Sequence, residues 1–325
     1  MSDRHPSRPG TVPDNPCPAG GRFGWLQRPD GARLRYALWP ADPANRDAGA
    51  DRKTVVIVPG RTEFIEKYFE TVSTVRARGW HVAILDLRGQ GLSSRQIATP
   101  TLGHVETFTD YEQDLAAFMD EVVRRQCPGP YVILAHSMGA AAVLLYLRRH
   151  PPDIVAAVLT APMLGLRSGR LQTLLARPLL RALKAVLGGA VPMPAGSRGD
   201  PMAARFERNI VTRDRARFER ALAALADNPQ LTVAAPTLGW TLAAFAAMAA
   251  LADAQTLAAI DVPVLIAVAG ADRIVDNDAI RRAAERLPRA DVVTFPEARH
   301  EILMETDAVQ DAFWRAFDRF LSQAL

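Results

Sequence analysis

Tyr131-Val-Ile-Leu-Ala135-His-Ser137-Met-Gly139 decides the reading of this chain. A short apolar run ends at Ala135, Ser137 follows two residues later, and Gly139 opens an Ala/Leu-rich segment that ends at His150-Pro151. The pattern predicts a strand, a sharp turn and a helix, with one serine at the apex. Such a turn holds a hydroxyl above a sheet in a strained conformation that only small neighbours permit. A serine hydroxyl is a weak nucleophile until a base takes its proton, so the rest of the chain has to supply a histidine and an acid.

Both occur downstream, in the order acid then histidine. Val262–Gly270 reads as a buried strand, followed at once by Ala271-Asp272-Arg273. An acid just past the carboxyl end of a parallel strand faces the crevice where ligands bind. Asp276, a turn further on, is the other candidate for the acid. Asp291–Phe295 reads as the next strand, and its loop carries Glu297-Ala-Arg-His300. Only His150 and His300 follow Ser137. His150 falls at the far end of the helix that Ser137 begins, roughly 20 Å away at 1.5 Å per residue, where a partly positive imidazole suits the helix dipole. His300 is therefore the expected base, Ser137 the nucleophile, and Asp272 the group that fixes the imidazole tautomer and stabilises its charge.

The negative charge of an acyl-transfer intermediate needs oriented donors. One is expected from the backbone N–H of Met138, directly after the nucleophile. The other is expected from the loop Pro59-Gly60-Arg61-Thr62-Glu63, which follows an apolar strand at 54–58. Gly60 allows a sharp turn there, and the Arg61 N–H is the candidate donor. Each element alone has an ordinary reading: an Asp after a strand is usually a helix cap, and a lone loop histidine is usually surface. Their joint occurrence, each at the end of a separate predicted strand and in the required order, favours the serine-hydrolase reading.

With those residues in place, the chain resembles an α/β-hydrolase of the bacterial lysophospholipase (L2 type), monoacylglycerol lipase and serine aminopeptidase-like group, over about residues 22–323. Three more segments carry the resemblance. Pro59-Gly-Arg-Thr-Glu-Phe-Ile-Glu-Lys-Tyr-Phe69 is similar to the group's oxyanion loop and following helix. Asp86-Leu-Arg-Gly-Gln-Gly-Leu-Ser93 is similar to its loop after the next strand, and Ala298-Arg-His-Glu-Ile-Leu-Met-Glu305 to its histidine segment. Two positions depart from the pattern: Ala135 stands where the first glycine of the turn is usual, and Pro59 where a histidine often precedes the loop glycine. Neither removes a catalytic group. The resemblance implies hydrolysis of esters of single-chain lipids, a lysophospholipid or a monoacylglycerol. A small-ester esterase, a thioesterase or an aminopeptidase shares the fold, and a catalytically silent binding protein is the reading from another class. An aminopeptidase would need acids to hold an amino terminus, for which Glu207 and Glu219 are available.

Composition agrees with a folded enzyme of ordinary kind: 325 residues, 49% hydrophobic and 23% charged. The only cysteines are Cys17 and Cys127, so a structural disulfide is not expected and a reducing compartment fits. No cluster has metal-ligand spacing and no glycine-rich phosphate loop follows a strand, so neither a metal nor a cofactor is expected. Residues 1–21 are rich in Pro, Gly and polar residues, without the apolar core of a signal peptide; they read as a flexible arm. No uncharged apolar stretch of about 18 residues exists. Thr241–Ala259 comes nearest, interrupted by Asp253 and Gln255.

A hairpin across Arg28-Pro-Asp-Gly31 opens the fold. Strands are predicted at 54–58, 81–85, 131–134, 155–160, 263–269 and 291–295, and helices at 63–78, 109–126 and 307–323. The alternation predicts a mostly parallel, doubly wound sheet. About 100 residues separate the strands ending near Thr160 and starting near Val262, far more than a usual connection. The resemblance implies a helical cap there, at 165–255, inserted into a core of 22–164 and 256–325. Residues 166–250 carry 12 Arg and Lys against 5 Asp and Glu, a net of +7 where the whole chain is +4. Leu166–Leu187 mixes leucines at helical spacing with a basic face, and Pro178 is expected to break or kink it. A basic amphipathic helix can lie on an anionic membrane; equally it can pack its apolar face on the core. No aromatics interleave the basic stretch as a nucleic-acid surface would have them, so nucleic acid is not an expected partner. The expected site is the cytoplasm, with peripheral contact at the inner membrane face through the basic cap. Oligomeric state is not legible.

Overall fold

Four apolar runs build the centre. Val55–Val58, Val82–Leu85, Val132–Ala135 and Val264–Ala269 are buried throughout, as strands covered by helices on both faces must be. A computed structural model describes residues 12–45, 53–149, 151–167, 170–193 and 204–325. His150 lies outside the described residues, as do residues 1–11 of the expected arm.

In chain order the elements are Arg22–Gln27 (β1), Arg33–Trp39 (β2), Thr54–Val58 (β3), Phe69–Ala77 (α1), His81–Leu85 (β4), Phe108–Phe118 (α2), Arg124–Gln126 (α3), Tyr131–His136 (β5), Ser137–Leu147 (α4) and Ile154–Thr160 (β6). Then come Arg170–Leu187 (α5), Arg215–Asp227 (α6), Leu238–Leu251 (α7), Ala254–Ala258 (α8), Val264–Ala269 (β7), Asn277–Ala284 (α9), Ala290–Phe295 (β8) and Asp307–Ala324 (α10). The sheet runs β1-β2-β4-β3-β5-β6-β7-β8. β1 and β2 pair antiparallel, β2 meets β4 antiparallel, and all other pairs are parallel. The expected α/β class and mostly parallel sheet are therefore present, with α5 to α8 between β6 and β7 in sequence.

Helix starts follow side-chain chemistry. Thr107, Asp214, Thr237, Asp253 and Asp276 each accept a backbone N–H in the first turn of α2, α6, α7, α8 and α9, satisfying donors that have no helical partner. α4 is buried on every side, which suits a segment apolar all round. The helix expected at 63–78 begins as a tight turn at Ile65–Tyr68 before α1. α5 runs on through Pro178. Proline removes one helical N–H, but Pro178 is exposed, where water can meet the carbonyl left without its donor. Residues 12–21, the end of the stretch read as an arm, lie on the body: Asn15 Nδ2 donates to Glu66 O at 2.7 Å, and Trp39 Nε1 donates to Pro18 O at 2.9 Å. Among the described residues, no helix is long and apolar enough to cross a membrane.

A buried charge cluster ties the antiparallel edge to the loops beside the crevice. Arg35 of β2 donates Nη1 and Nη2 to Glu66 at 2.7 and 2.6 Å, and Nε to Asp86 at 2.7 Å. Asp86 also accepts the backbone N–H of Ile65 at 2.9 Å and of Leu92 at 2.8 Å. Gly91 turns the chain at φ 49°, and a Cβ there would lie 2.1 Å from the Asp86 carboxylate. Burial holds the Asp86 carboxyl above its usual range, against the pull of Arg35. Arg35→Ala would strand two buried carboxylates, and breaking such a cluster costs about 3–5 kcal/mol. Urea unfolding should show a loss of that size; a loss below about 1 kcal/mol would mean the cluster is dispensable.

Candidate active site

The site sits where β5 ends. Ser137 takes φ 49°, a left-handed conformation that costs a non-glycine residue energy and is kept only where the surroundings impose it. Gly139 shows what imposes it. A Cβ at that position would meet Pro59 O at 2.4 Å and Val58 O at 2.5 Å, so α4 can approach the end of β3 only through a glycine. Ala135, in place of the usual first glycine, pairs with Val58 and is fully buried.

Three of the predicted residues meet across this crevice. His300 Nε2 lies 2.9 Å from Ser137 Oγ, and His300 Nδ1 lies 2.7 Å from Asp272 Oδ2. The other oxygen, Asp272 Oδ1, accepts the N–H groups of Ile274 at 2.7 Å and Val275 at 3.1 Å. Burial pushes the Asp272 carboxyl up, but His300 and those two amides outweigh it and hold the group below its usual value. All three side chains are buried. Asp276, the other candidate acid, accepts the Asp278 N–H at the start of α9 and pairs with Arg282 at 3.4 Å; it does not join the trio.

The expected oxyanion residues lie on two segments: Gly60 and Arg61 in the loop after β3, and Met138 directly after Ser137. Met138 is in the first turn of α4, where backbone amides lack helical acceptors. In the loop after β3, the Gly60 N–H donates to Glu63 Oε2 at 2.5 Å and the Thr62 N–H donates to Gln90 Oε1 at 2.7 Å. The Arg61 N–H lies between these two committed amides. Thr62 takes φ 63° to make the turn.

Two features escaped the sequence reading. His136, inside the opening stretch, is buried with its ring 4.8 Å from that of His300, its Nδ1 at 3.0 Å from Thr160 Oγ1. Its position beside the nucleophile was the available signal. Lys67 clasps the two loops of the site, bonding Glu63 at 3.0 Å and Glu301 at 2.6 Å. Burial alone would raise Glu63, but Lys67, His136, Tyr68 and the Gly60 amide bring it down to about 2. Among the described residues no group of three or more His, Cys, Asp or Glu side chains is placed to hold a metal ion.

A twisted, mostly parallel sheet with a strained serine at the turn after β5 defines an α/β-hydrolase. The chain belongs to the serine aminopeptidase, S33, family, whose model matches residues 49–307. It is 37% identical over 285 residues to lysophospholipase L2 of Escherichia coli K12, covering 83% of this chain and 81% of that protein. It is 25% identical to a monoacylglycerol lipase of Mycolicibacterium smegmatis over 279 residues, 85% of this chain and 89% of the other. A soluble variant of monoglyceride lipase from Saccharomyces cerevisiae, solved with a substrate analog, superposes with a TM-score of 0.71 at 20% identity, covering 94% of this chain and 97% of that one; it shows the shared fold.

Burial lowers the His136 pKa to about 4, against about 6.5 when unfolded. The folded state thus resists a proton that the unfolded state accepts, so stability is full above pH 6.5 and falls as pH drops toward 4. His136→Asn should flatten this part of the profile by one proton's slope. Urea midpoints from pH 4 to 8 that run parallel in the two proteins would refute the assignment.

Proposed function

We propose that the protein hydrolyses carboxylic esters of single-chain lipids, a lysophospholipid or a monoacylglycerol, through an acyl-enzyme on Ser137. The observation that carries this is the hydrogen-bonded chain from Ser137 Oγ through His300 to Asp272 at a strained turn. His300 Nε2 takes the serine proton as Oγ attacks the ester carbonyl. Asp272 holds the imidazole by Nδ1 and balances its charge. The N–H groups of Met138 and Arg61 receive the developing oxyanion, with Gly60 shaping the loop. His300 then passes the proton to the leaving alcohol, and a water activated by the same imidazole releases the fatty acid.

The lipid part rests on the relationship to lysophospholipase L2 over most of both chains. It also gains from the cap acids that a peptidase would need. Glu207 and Glu219 both pair with Arg215, at 2.6 and 3.1 Å, and both lie on the exposed surface, where neither is enclosed as a group that holds an amino terminus would be. Wild-type enzyme should release fatty acid from lysophospholipid or monoacylglycerol. Ser137→Ala should lose on the order of 10⁶ in kcat, and Asp272→Asn about 10⁴. Cleavage of short esters alone, with neither lipid touched, would overturn the lipid reading.

Residues 165–255 serve in this reading as a cap over the site. α5 exposes Leu179, Val186 and Leu187 at 62%, 82% and 56%, beside exposed Arg181, while Leu180 faces inward. Exposed leucine and valine next to arginine suit the surface of an anionic membrane, consistent with a cytoplasmic protein that touches the inner membrane face. Leu179→Glu with Val186→Glu should weaken sedimentation with phosphatidylglycerol vesicles at least severalfold and leave short-ester hydrolysis intact. Unchanged sedimentation would remove α5 as the contact.

A further inference from the structure

Among the described residues, seven buried side-chain polar atoms lack a hydrogen-bond partner, and four of them gather beside the loop after β3: Arg61 Nε, Gln90 Nε2, Tyr111 Oη and Trp240 Nε1. Buried polar groups are normally satisfied, so each exception calls for a reason, and four in one place call for a shared one.

Their arrangement is specific. The Arg61 guanidinium lies 5.3 Å from the Trp240 ring centre and donates Nη2 to Ala234 O. Trp240 and Gln90 stand beside the Tyr111 hydroxyl as weak donors that bear on its ionisation, yet Tyr111 Oη, Trp240 Nε1 and Gln90 Nε2 close no well-formed hydrogen bond. Gln90 already accepts from the Thr62 N–H, one residue past Arg61. Gly103 packs against the guanidinium: a Cβ there would come to 3.6 Å from Arg61 Nε and 3.2 Å from Val233 Cγ1.

The charge is the second anomaly. The fully buried arginines among the described residues have carboxylates: Arg35 has Glu66 and Asp86, Arg88 has Asp114 and Arg217 has Glu70. Arg61 is half-buried, with its Nε shut away from solvent. Arg61 forms no ion pair among the described residues, and burial without a counter-charge brings its pKa down to about 10. A cation largely shut away from water without a counter-charge is costly, and an arriving anion would relieve that cost.

We propose that Arg61, with the unpartnered donors of Tyr111, Trp240 and Gln90 around it, receives the phosphate of a lysophospholipid headgroup. The placement fits the substrate's own geometry. The Arg61 N–H is assigned to the ester oxygen, and its guanidinium stands one side chain away. A lysophospholipid likewise separates ester from phosphate by one glycerol unit. A planar guanidinium is suited to bidentate phosphate contact. A monoacylglycerol lacks the anion and would leave the site empty. Arg61 thus determines headgroup preference, and this rests on the lipid-ester reading of the same site.

The test compares oleoyl lysophosphatidylethanolamine with monooleoylglycerol. Arg61→Gln should lower kcat/KM for the phospholipid roughly ten- to hundredfold more than for the glyceride, the range of a charge-assisted hydrogen bond, and Arg61→Lys should recover part of it. Equal losses on both substrates would overturn the proposal and leave Arg61 a clasp on Ala234. A second arm does not depend on lipid turnover. sn-Glycerol 3-phosphate should inhibit wild-type hydrolysis of p-nitrophenyl butyrate and raise the wild-type Tm, whereas glycerol should do neither; if it does neither as well, there is no anion site. Should the wild type cleave the butyrate ester but no lipid, the lipid reading fails and this arm alone decides the anion site. Inorganic phosphate run in parallel separates the sources: an effect from it alone, with no headgroup discrimination, overturns the substrate role. The wild-type Tm shift keeps the test valid even if an Arg61 variant does not fold.

Discussion

Everything at the site depends on how closely α4 approaches β3. With two carbonyl oxygens 2.4 and 2.5 Å from where a Gly139 Cβ would stand, the helix axis has one admissible position, and the chain must leave β5 through a left-handed Ser137 to reach it. The strain is local, while the forces that hold it are spread through the core: α4 is buried along its whole length and β5 has a parallel neighbour on each side. A closely packed interior transmits such constraints because it cannot relax into voids. The serine is aimed by packing, and its partners meet it because β7 and β8 end at the same rim.

The second level of order is electrostatic. Asp86 gathers Arg35, the Ile65 amide and the Leu92 amide into one node, joining β2, the turn before α1 and the loop after β4. Glu63 gathers Gly60, Tyr68 and Lys67. Glu63 accepts the Gly60 N–H and Gln90 the Thr62 N–H, so the loop that carries Arg61 is fixed by bonds on either side of that residue. Oriented dipoles of this kind stabilise charge without reorganising when it appears.

The trio was legible because strand ends are legible. Apolar runs fix where β5, β7 and β8 stop, and a parallel sheet brings all three ends to one rim, so Ser137, Asp272 and His300 could be paired without coordinates. The competing Asp276 was resolved only in three dimensions, by the amide it caps. Contacts between segments distant in sequence left no pattern in the chain. Lys67 with Glu301, Arg61 with Trp240 and His136 with His300 are joined by neither helical nor strand spacing. The packing of residues 12–21 on the sheet was hidden for the same reason, because a polar, proline-rich segment held by single hydrogen bonds has no periodicity. Pro178 was read as a break or a kink, and α5 is not broken there: a rule about helix interiors met a helix with a wet side.

The Lys67 clasp has a consequence for biosynthesis. Its partners Lys67 and Glu301 are 234 residues apart in sequence, and Ser137 and His300 are 163 apart. Such distant pairings close late, after the entropy of long loops has been overcome. A growing chain that has made its nucleophile has neither base nor clasp until the segment around His300, 163 residues further on, has been synthesised. If the membrane's own lipids are within reach of the enzyme, then the order of the residues is itself a safeguard, since no chain that stops short of His300 carries a complete site.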